Sequence, residues 1–396
     1  MNKKIFETFA GIGSQAKALE KLSHDFNDFN FSISNTCEWY TEAILGYSAI
    51  HNDLNSKEYK NLYEEELDVI ISFLETKTLS SNSKEPLKDI KKLKEDKIRK
   101  LYASIKLNNN LIDITKVKVQ DINAPFDLLT YSFPCQDLSI AGKGKGMSEN
   151  SNTRSSLLWN ILQLLNDLNK LNKLPEYLVM ENVPAIKNSN HIDNLNKFKD
   201  KLNNLGYTNV EFVLNAIDYG IPQNRKRYFL ISKLNDDSFD FNFDDIKVDL
   251  PKFSDFLDIE NMKPTNRENQ YLSSIKKLYS NVDKDNKFKI KYKNLNVYPT
   301  FNQANIVTGL ESKCISTVTF SGENSRQRVF AKQNNEDRVL QLGAKENILL
   351  MGFDKDDYFK LKEIGLSDEK IRGLAGNSIV VNVLYYIFKK IFINCN

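Results

Sequence analysis

Cys135 stands in the run Tyr131-Ser132-Phe133-Pro134-Cys135-Gln136, directly after the apolar stretch Phe126-Asp127-Leu128-Leu129-Thr130. A cysteine on a strand-end loop can present a thiolate, the strongest protein nucleophile at neutral pH. The ring of Pro134 fixes the backbone just before it, and a glycine- and lysine-rich loop spans 140–146. A carboxylate stands further on, in Glu181-Asn182-Val183 after the apolar Tyr177-Leu178-Val179-Met180. An acid at the end of a buried strand is costly unless it is paired or used. Gln223-Asn224-Arg225-Lys226-Arg227 precedes a strand-like segment at 228–232. Period-2 spacing predicts Gln223, Arg225 and Arg227 on one face. The plain alternatives are an ordinary strand-end carboxylate and a solvated basic edge strand.

A second constellation suits a nucleotide-like cofactor. Phe9-Ala10-Gly11-Ile12-Gly13 follows a strand and opens a helix that Ser14 is expected to cap. Such a turn lets a ligand approach the backbone and the helix N-terminus. The dinucleotide fingerprint would place a third glycine where this chain has Ala16. Alanine is tolerated there, so a nicotinamide oxidoreductase stays open. Glu38-Trp39 ends the next strand, offering an acid for ribose hydroxyls and an aromatic face for a base. Asp113-Ile114-Thr115 closes another candidate strand. Each set has a structural reading, as an exposed acid or a core aromatic; together they fit an adenosyl ligand.

The elements that must hold these residues alternate. Strands are expected at 5–9, 32–37, 126–131, 177–180, 210–215 and 228–232, with helices at 14–22, 41–50, 156–168 and 195–205. That pattern predicts an α/β sheet with helices on both faces and function beyond the carboxyl ends of the strands. Residues 55–107 read as a charged helical excursion. It is taken as a solvated insertion, against a sharper reading in which Lys91, Lys92, Lys94 and Lys97 meet DNA phosphates. After 233 the periodicity fades, and a second domain of irregular or β character is expected.

Hydrophobic residues make up 41% and charged residues 27% of the 396, which fits a globular protein with a sizeable core. The net charge of +3 neither demands nor excludes nucleic acid. Four scattered cysteines and three histidines give no Cys-x-x-Cys spacing, so no metal site or disulfide framework is expected. No secretory or membrane-spanning segment is read, which points to the cytoplasm.

Taken in order, these pieces resemble the cytosine-C5 DNA methyltransferase family. The resemblance runs Phe-Ala-Gly-Ile-Gly, Glu-Trp, Asp-Ile-Thr, Pro-Cys-Gln, Glu-Asn-Val, Gln-x-Arg-x-Arg and a late Gly376-Asn377-Ser378. It implies a Rossmann-like, S-adenosylmethionine-dependent α/β sheet over 1–232 with the helical insertion at 55–107. A smaller, irregular or β target-recognition domain would span 233–370, and 371–396 would return to the catalytic domain. Cys135 would attack C6 of a flipped-out cytosine and Glu181 would bind N3 and the exocyclic amine. Arg225 would contact the base with Arg227 supporting. The cofactor S-adenosyl-L-methionine would meet Phe9, Gly11, Ile12, Gly13, Glu38, Trp39, Asp113, Ile114, Pro134, Leu157, Asn377 and Ser378. DNA contacts are expected from Gln136, Ser139, Arg154, Gln223, Thr317, Thr319, Ser321, Asn324, Ser325 and Arg326. Ala141 departs from relatives with a polar residue there, and Gln341, after Arg338-Val339-Leu340, departs from a usual threonine.

The stretches 131–139 and 317–326 look most like the mollicute-type CpG methyltransferases, so CpG is the expected target. Expected partners are double-stranded DNA and, where the enzyme belongs to a restriction-modification pair rather than standing alone, a cognate restriction endonuclease, with the chain itself a nucleoid-associated monomer. Competing readings are an RNA cytosine methyltransferase on the same scaffold and a non-catalytic cofactor-binding DNA protein.

Overall fold

The structure is a computed structural model that describes residues 2–134, 154–280, 297–299, 306–319 and 327–393. Contacts divide the chain into two compact units. The first comprises Met1–Leu214, Lys226–Ile246 and Leu384–Asn396; the second comprises Asn215–Arg225 and Lys247–Val383.

The chain opens with β1 (Asn2–Thr8), α1 (Ser14–Asp25), β2 (Asn30–Cys37) and α2 (Thr41–His51). The excursion is helical, with α3 (Lys57–Tyr63), α4 (Leu67–Glu75) and α5 (Glu95–Leu107). Next come β3 (Leu128–Tyr131), α6 (Leu158–Lys170), β4 (Tyr177–Asn182), α7 (Ile192–Asn204) and β5 (Tyr207–Asn215). The two-residue β6 (Gln223–Asn224) belongs to the second unit, and β7 (Lys226–Leu234) returns to the first. The first unit's sheet runs β2-β1-β3-β4-β7-β5. β2, β1, β3 and β4 are mutually parallel, and β7 is antiparallel to β4.

The expected fold class, a mixed α/β architecture with a central sheet, is what the structure has. Its strands read as continuous apolar runs because both faces are covered: Leu128 to Tyr131 and Tyr177 to Met180 are wholly buried. On α6, Leu158, Ile161, Leu162, Leu165 and Leu168 recur at helical spacing and are buried against the sheet's core cluster. Two local expectations fail. Gly13, not Ser14, occupies the cap position of α1, and no side chain caps it. Asp113 lies in a turn rather than at a strand end, its carboxylate accepting from the Thr115 amide and hydroxyl at 3.1 and 2.7 Å.

The second unit holds β8 (Lys263–Pro264), α8 (Glu268–Ser280), β9 (Val297–Pro299), β10 (Ile306–Gly309), β11 (Ile315–Ser316), β12 (Arg328–Gln333) and β13 (Glu336–Gln341). Helices α9 (Ala344–Leu349), α10 (Lys355–Glu363) and α11 (Asp368–Asn377) follow, and α12 (Val381–Phe392) ends the described chain. Its main sheet runs β8-β13-β12-β10-β9, while β11 pairs in parallel with β6. Arg338 grips Glu268 with two hydrogen bonds of 2.8 and 3.1 Å, tying β13 to α8.

The division differs from boundaries at 232 and 371 for physical reasons. Residues 215–225 go with the second unit because β6 pairs with β11. Residues 233–246 stay with the first because Phe241 and Phe243 pack on Phe212 of β5, at 5.5 and 4.8 Å between ring centres. One stretch, residues 368–392, is long and apolar enough to cross a membrane by composition. Its apolar window is 67% buried within the fold, as core helices are.

Candidate active site

Parallel pairing decides where the chemistry gathers. Because β2, β1, β3 and β4 run the same way, their carboxyl ends lie on one edge of the sheet. Glu38, Phe9, Ser132 and Val183 therefore begin neighbouring loops at that edge. β7 runs oppositely, so its first residues arrive at the same edge, with Tyr228 opposite Asn182.

The glycine turn is strained as a binding turn would be. Phe9 adopts φ +55° and Ile112, a β-branched residue, φ +67°; such outliers cost energy and gather at functional sites. Gly11, at φ +58°, has open space where a Cβ would stand, so a ligand can approach the backbone there. Gly13 is different. At φ +80°, its Cβ would fall 2.2 Å from His51 Nε2. His51 donates to the Ile12 carbonyl at 3.1 Å and pairs with Glu20 at 2.6 Å.

Glu38 closes on this turn. Its carboxylate accepts from the Gly11 amide at 3.0 Å and the Tyr40 amide at 2.8 Å. Burial raises its pKa, and the amides of Tyr40, Gly11 and Trp39 pull it back. Asn110 supplies the link the sequence reading missed. Its side-chain amide pairs with both the N–H and the C=O of Glu38, each at 3.0 Å, and accepts from Ile112 N–H at 2.9 Å. It thereby sets the Ile112-Asp113 segment beside Glu38. Between them the Cys37 thiol is pushed well up, chiefly by burial and further by the Glu38 and Asp113 charges. Ile114 and Cys37 share one buried cluster with Phe133, against which Phe9 and Leu157 pack. Trp39 is half-buried. The donor set thus fits an adenosyl compound in the first unit: open backbone at Gly11, an acid positioned by amides, and apolar walls.

At β4 and β7, Glu181 Oε1 meets Arg227 Nε at 3.1 Å, with side chains 13% and 17% exposed. Antiparallel pairing explains the match: the start of β7 comes to the end of β4. Asn182 donates to the Phe133 carbonyl at 3.1 Å, and Ser155 donates to the Pro134 carbonyl at 2.8 Å. These two bonds fix the backbone on the approach to Cys135. A side-chain amide directly after the strand-end acid was the available signal for Asn182; Ser155 carried none.

Cys135, Gln136, Ser139, Ser321, Asn324, Ser325 and Arg326 lie outside the described residues. So does the side chain of Arg154, whose backbone starts a 3-10 turn at Arg154–Leu157.

The expected common face of Gln223, Arg225 and Arg227 is not found. β6 ends at Asn224, β7 begins at Lys226, and Arg225 sits at the break. Arg225 is 3% exposed within the second unit. Its Nη1 donates to Val318 O at 2.7 Å, and its Nη2 to Gly376 O and Ser378 O at 3.0 and 2.8 Å. A guanidinium spent on backbone carbonyls is a bracket, so the expected base contact by Arg225 is corrected. Gln223 is fully buried, donates to Leu350 O at 2.7 Å and accepts from Val318 N–H at 2.9 Å. The expected DNA contact by Gln223 is corrected on the same ground. Thr317 donates to Asn224 O at 2.7 Å, whereas Thr319 is exposed. Asn377 is exposed, and the Ser378 hydroxyl donates to Leu374 O at 2.8 Å. In the helical insertion, Lys91 and Lys97 pair with Glu75 and Glu42 at 2.8 and 3.1 Å, which favours the structural reading of those lysines.

The chain belongs to the C-5 cytosine-specific DNA methylase family, whose profile residues 78–393 match. It is a DNA (cytosine-5-)-methyltransferase by that membership and by full-length relatives. It is 40% identical to the orphan methyltransferase M.SssI of Spiroplasma monobiae, over 98% of this chain and 97% of that protein. It is 34% identical to the type II methyltransferase M2.ScrFI of Lactococcus lactis subsp. cremoris, over 98% and 99%. The fold matches the crystal structure of the S. pombe Dnmt2 methyltransferase with a TM-score of 0.60 at 17% identity, covering all of both chains. It also matches the Entamoeba histolytica methyltransferase EhMeth with a TM-score of 0.62 at 17% identity, over 100% and 99%.

Proposed function

We propose that this enzyme methylates C5 of cytosine within a short duplex sequence, with S-adenosylmethionine as methyl donor and a covalent bond from Cys135 Sγ to C6. The observation that carries the reading is the Glu181–Arg227 pair at the carboxyl edge of the parallel sheet, next to the backbone leading into Cys135.

Cytosine C5 is a poor nucleophile until C6 is attacked. Addition of the Cys135 thiolate moves the ring π electrons toward C5 and N3, giving an enamine; this is covalent catalysis. Glu181 hydrogen-bonds N3 and the exocyclic amine, drawing off the developing charge. Arg227, paired with Glu181, orients that carboxyl and contacts the base. When bound, S-adenosylmethionine would supply the methyl group for C5 from its sulfonium, with the thioether as leaving group. A base then removes the C5 proton, and the electrons expel the Cys135 thiolate. The base must be flipped from the stack for these side chains to reach it.

Gly11, Glu38, Trp39, Asp113 and Ile114 hold the adenosyl part. Phe9, Gly13, Ile12, Pro134 and Leu157 shape the turn and wall around it, and Asn377 and Ser378 are further proposed cofactor residues. Thr317, Thr319, Ser321, Asn324, Ser325 and Arg326 read the sequence, with Gln136, Ser139 and Arg154 contacting DNA from the loop. The target we propose is CpG, on the likeness of 131–139 and 317–326 to mollicute-type enzymes. We place the enzyme in the cytoplasm, as a monomer on nucleoid DNA, either standing alone or beside a cognate restriction endonuclease. Bisulfite sequencing of a plasmid co-expressed with the gene tests activity and target together. Protected cytosines confined to CpG are expected; protection at another motif would refute the target, and none at all the function.

A further inference from the structure

The second unit contains a connection that base chemistry does not require. Arg225 holds Val318 O through Nη1, and Gly376 O and Ser378 O through Nη2. Gln223 holds the N–H of the same Val318 and, through its own amide, Leu350 O. Both polar backbone groups of Val318 are thus gripped by buried side chains two positions apart, one in the short strand that also pairs with Ile315–Ser316 and one just after it. The grip uses backbone atoms only, so it fixes where Thr317 and Thr319 point without depending on their identity. The rigid fork of a guanidinium spans separate carbonyls in a way a lysine ammonium does not. One side chain therefore ties residues 317–319 to residues 376–378.

We propose that Arg225 is a positioning residue that locks the target-reading segment 317–319 to the cofactor-contacting segment 376–378, so that DNA and cofactor each tighten the other's binding. This rests on the roles proposed above for those two segments. Gln223 touches the first segment and Leu350 but, among its described contacts, not the second. Its loss should loosen target reading alone. Thermodynamic linkage requires the coupling to be equal in both directions.

The test uses the full chain. The Kd of S-adenosylmethionine is measured by calorimetry with and without a cognate duplex, and the Kd of cognate and mismatched duplexes with and without cofactor. In R225K the mutual tightening should fall about fivefold or more, with weakened discrimination between duplexes. In Q223M discrimination should fall while cofactor affinity holds. Wild-type coupling in R225K, with only kcat reduced, would overturn the proposal and return Arg225 to the base. Equal loss of cofactor affinity and discrimination in Q223M would also overturn it, marking a general structural defect. Hydrogen exchange in the wild-type chain needs no variant: duplex alone should protect the amides of 376–378, and unchanged exchange there counts against the link. Absence of methyl transfer by the wild-type enzyme would defeat the functional reading itself; transfer with unaltered coupling in R225K defeats only this inference.

Discussion

Arg225 and Arg227 are two residues apart and have opposite surroundings. Arg225 is enclosed among the carbonyls of Val318, Gly376 and Ser378. Arg227 faces a carboxylate, Glu181, at the edge of the parallel sheet. The difference arises from a break of one residue between β6 and β7, which assigns the two side chains to different units. A motif written as alternating polar residues does not reveal it. Spacing tells which residues are present, whereas strand membership tells what each can touch.

The comparison can be broken at its chemical end first. Glu181→Gln keeps the shape but removes the acid, and kcat should fall about 10²–10⁴-fold with cofactor affinity retained. A small loss in steady-state methylation assays would remove Glu181 from the chemistry. Next comes stability. Arg225→Met strips three carbonyls, two of them buried, of a donor, and unfolding free energy should drop by about 3 kcal/mol in urea titrations. Arg227→Met should cost less by the same measure, because it breaks one described ion pair where Arg225 satisfies three carbonyls. Equal costs would mean that the two arginines are not differently employed.

The two glycines of the turn give a smaller contrast. Both have positive φ, so alanine at either costs about 1–2 kcal/mol of strain. Gly13→Ala must also displace His51, whereas Gly11→Ala meets open space. Gly13→Ala should therefore melt lower, and Gly11→Ala should chiefly weaken cofactor binding; thermal shift with and without cofactor separates them.

Glu7 gives a test away from the two arginines. It is fully buried on β1, and burial pushes its pKa from 4.5 to about 8, with the Glu20 charge adding to the rise. The folded state then holds a proton that the unfolded chain gives up. Stability should fall as pH rises from about 4.5 to 8, by at most about 1.4 kcal/mol per pH unit, and level off above. Glu7→Gln should flatten that slope in denaturant titrations; a slope unchanged by the substitution would show that Glu7 is not its source.

Much of the fold was legible because buried parallel strands write themselves as apolar runs, as at 128–131 and 177–180. The glycine turn and the acids at 38 and 181 were legible for the related reason that polar residues at such ends are costly without use. Asn110 was not, since an amide that pairs with both backbone groups of Glu38 looks like any loop asparagine. Nor were the roles of Gln223 and Arg225, whose partners lie some ninety to one hundred and fifty positions away, as sequence separations of 93 and 151 show. The aromatic stretch 239–243 looked like the start of a second domain because its partner Phe212 lies on a strand earlier in the chain.

The central claim is a thiolate that adds to C6 of cytosine under the influence of Glu181 and Arg227. The direct measurement is trapping on a duplex carrying 5-fluorocytosine at the target, where the fluorine blocks loss of the C5 substituent. With S-adenosylmethionine present, the wild-type enzyme should form a denaturant-stable adduct that mass spectrometry maps to Cys135, and Cys135→Ser should form none while still binding cofactor. Methylation of ordinary cytosine by the wild-type enzyme without any such adduct, or by Cys135→Ser, would contradict the account.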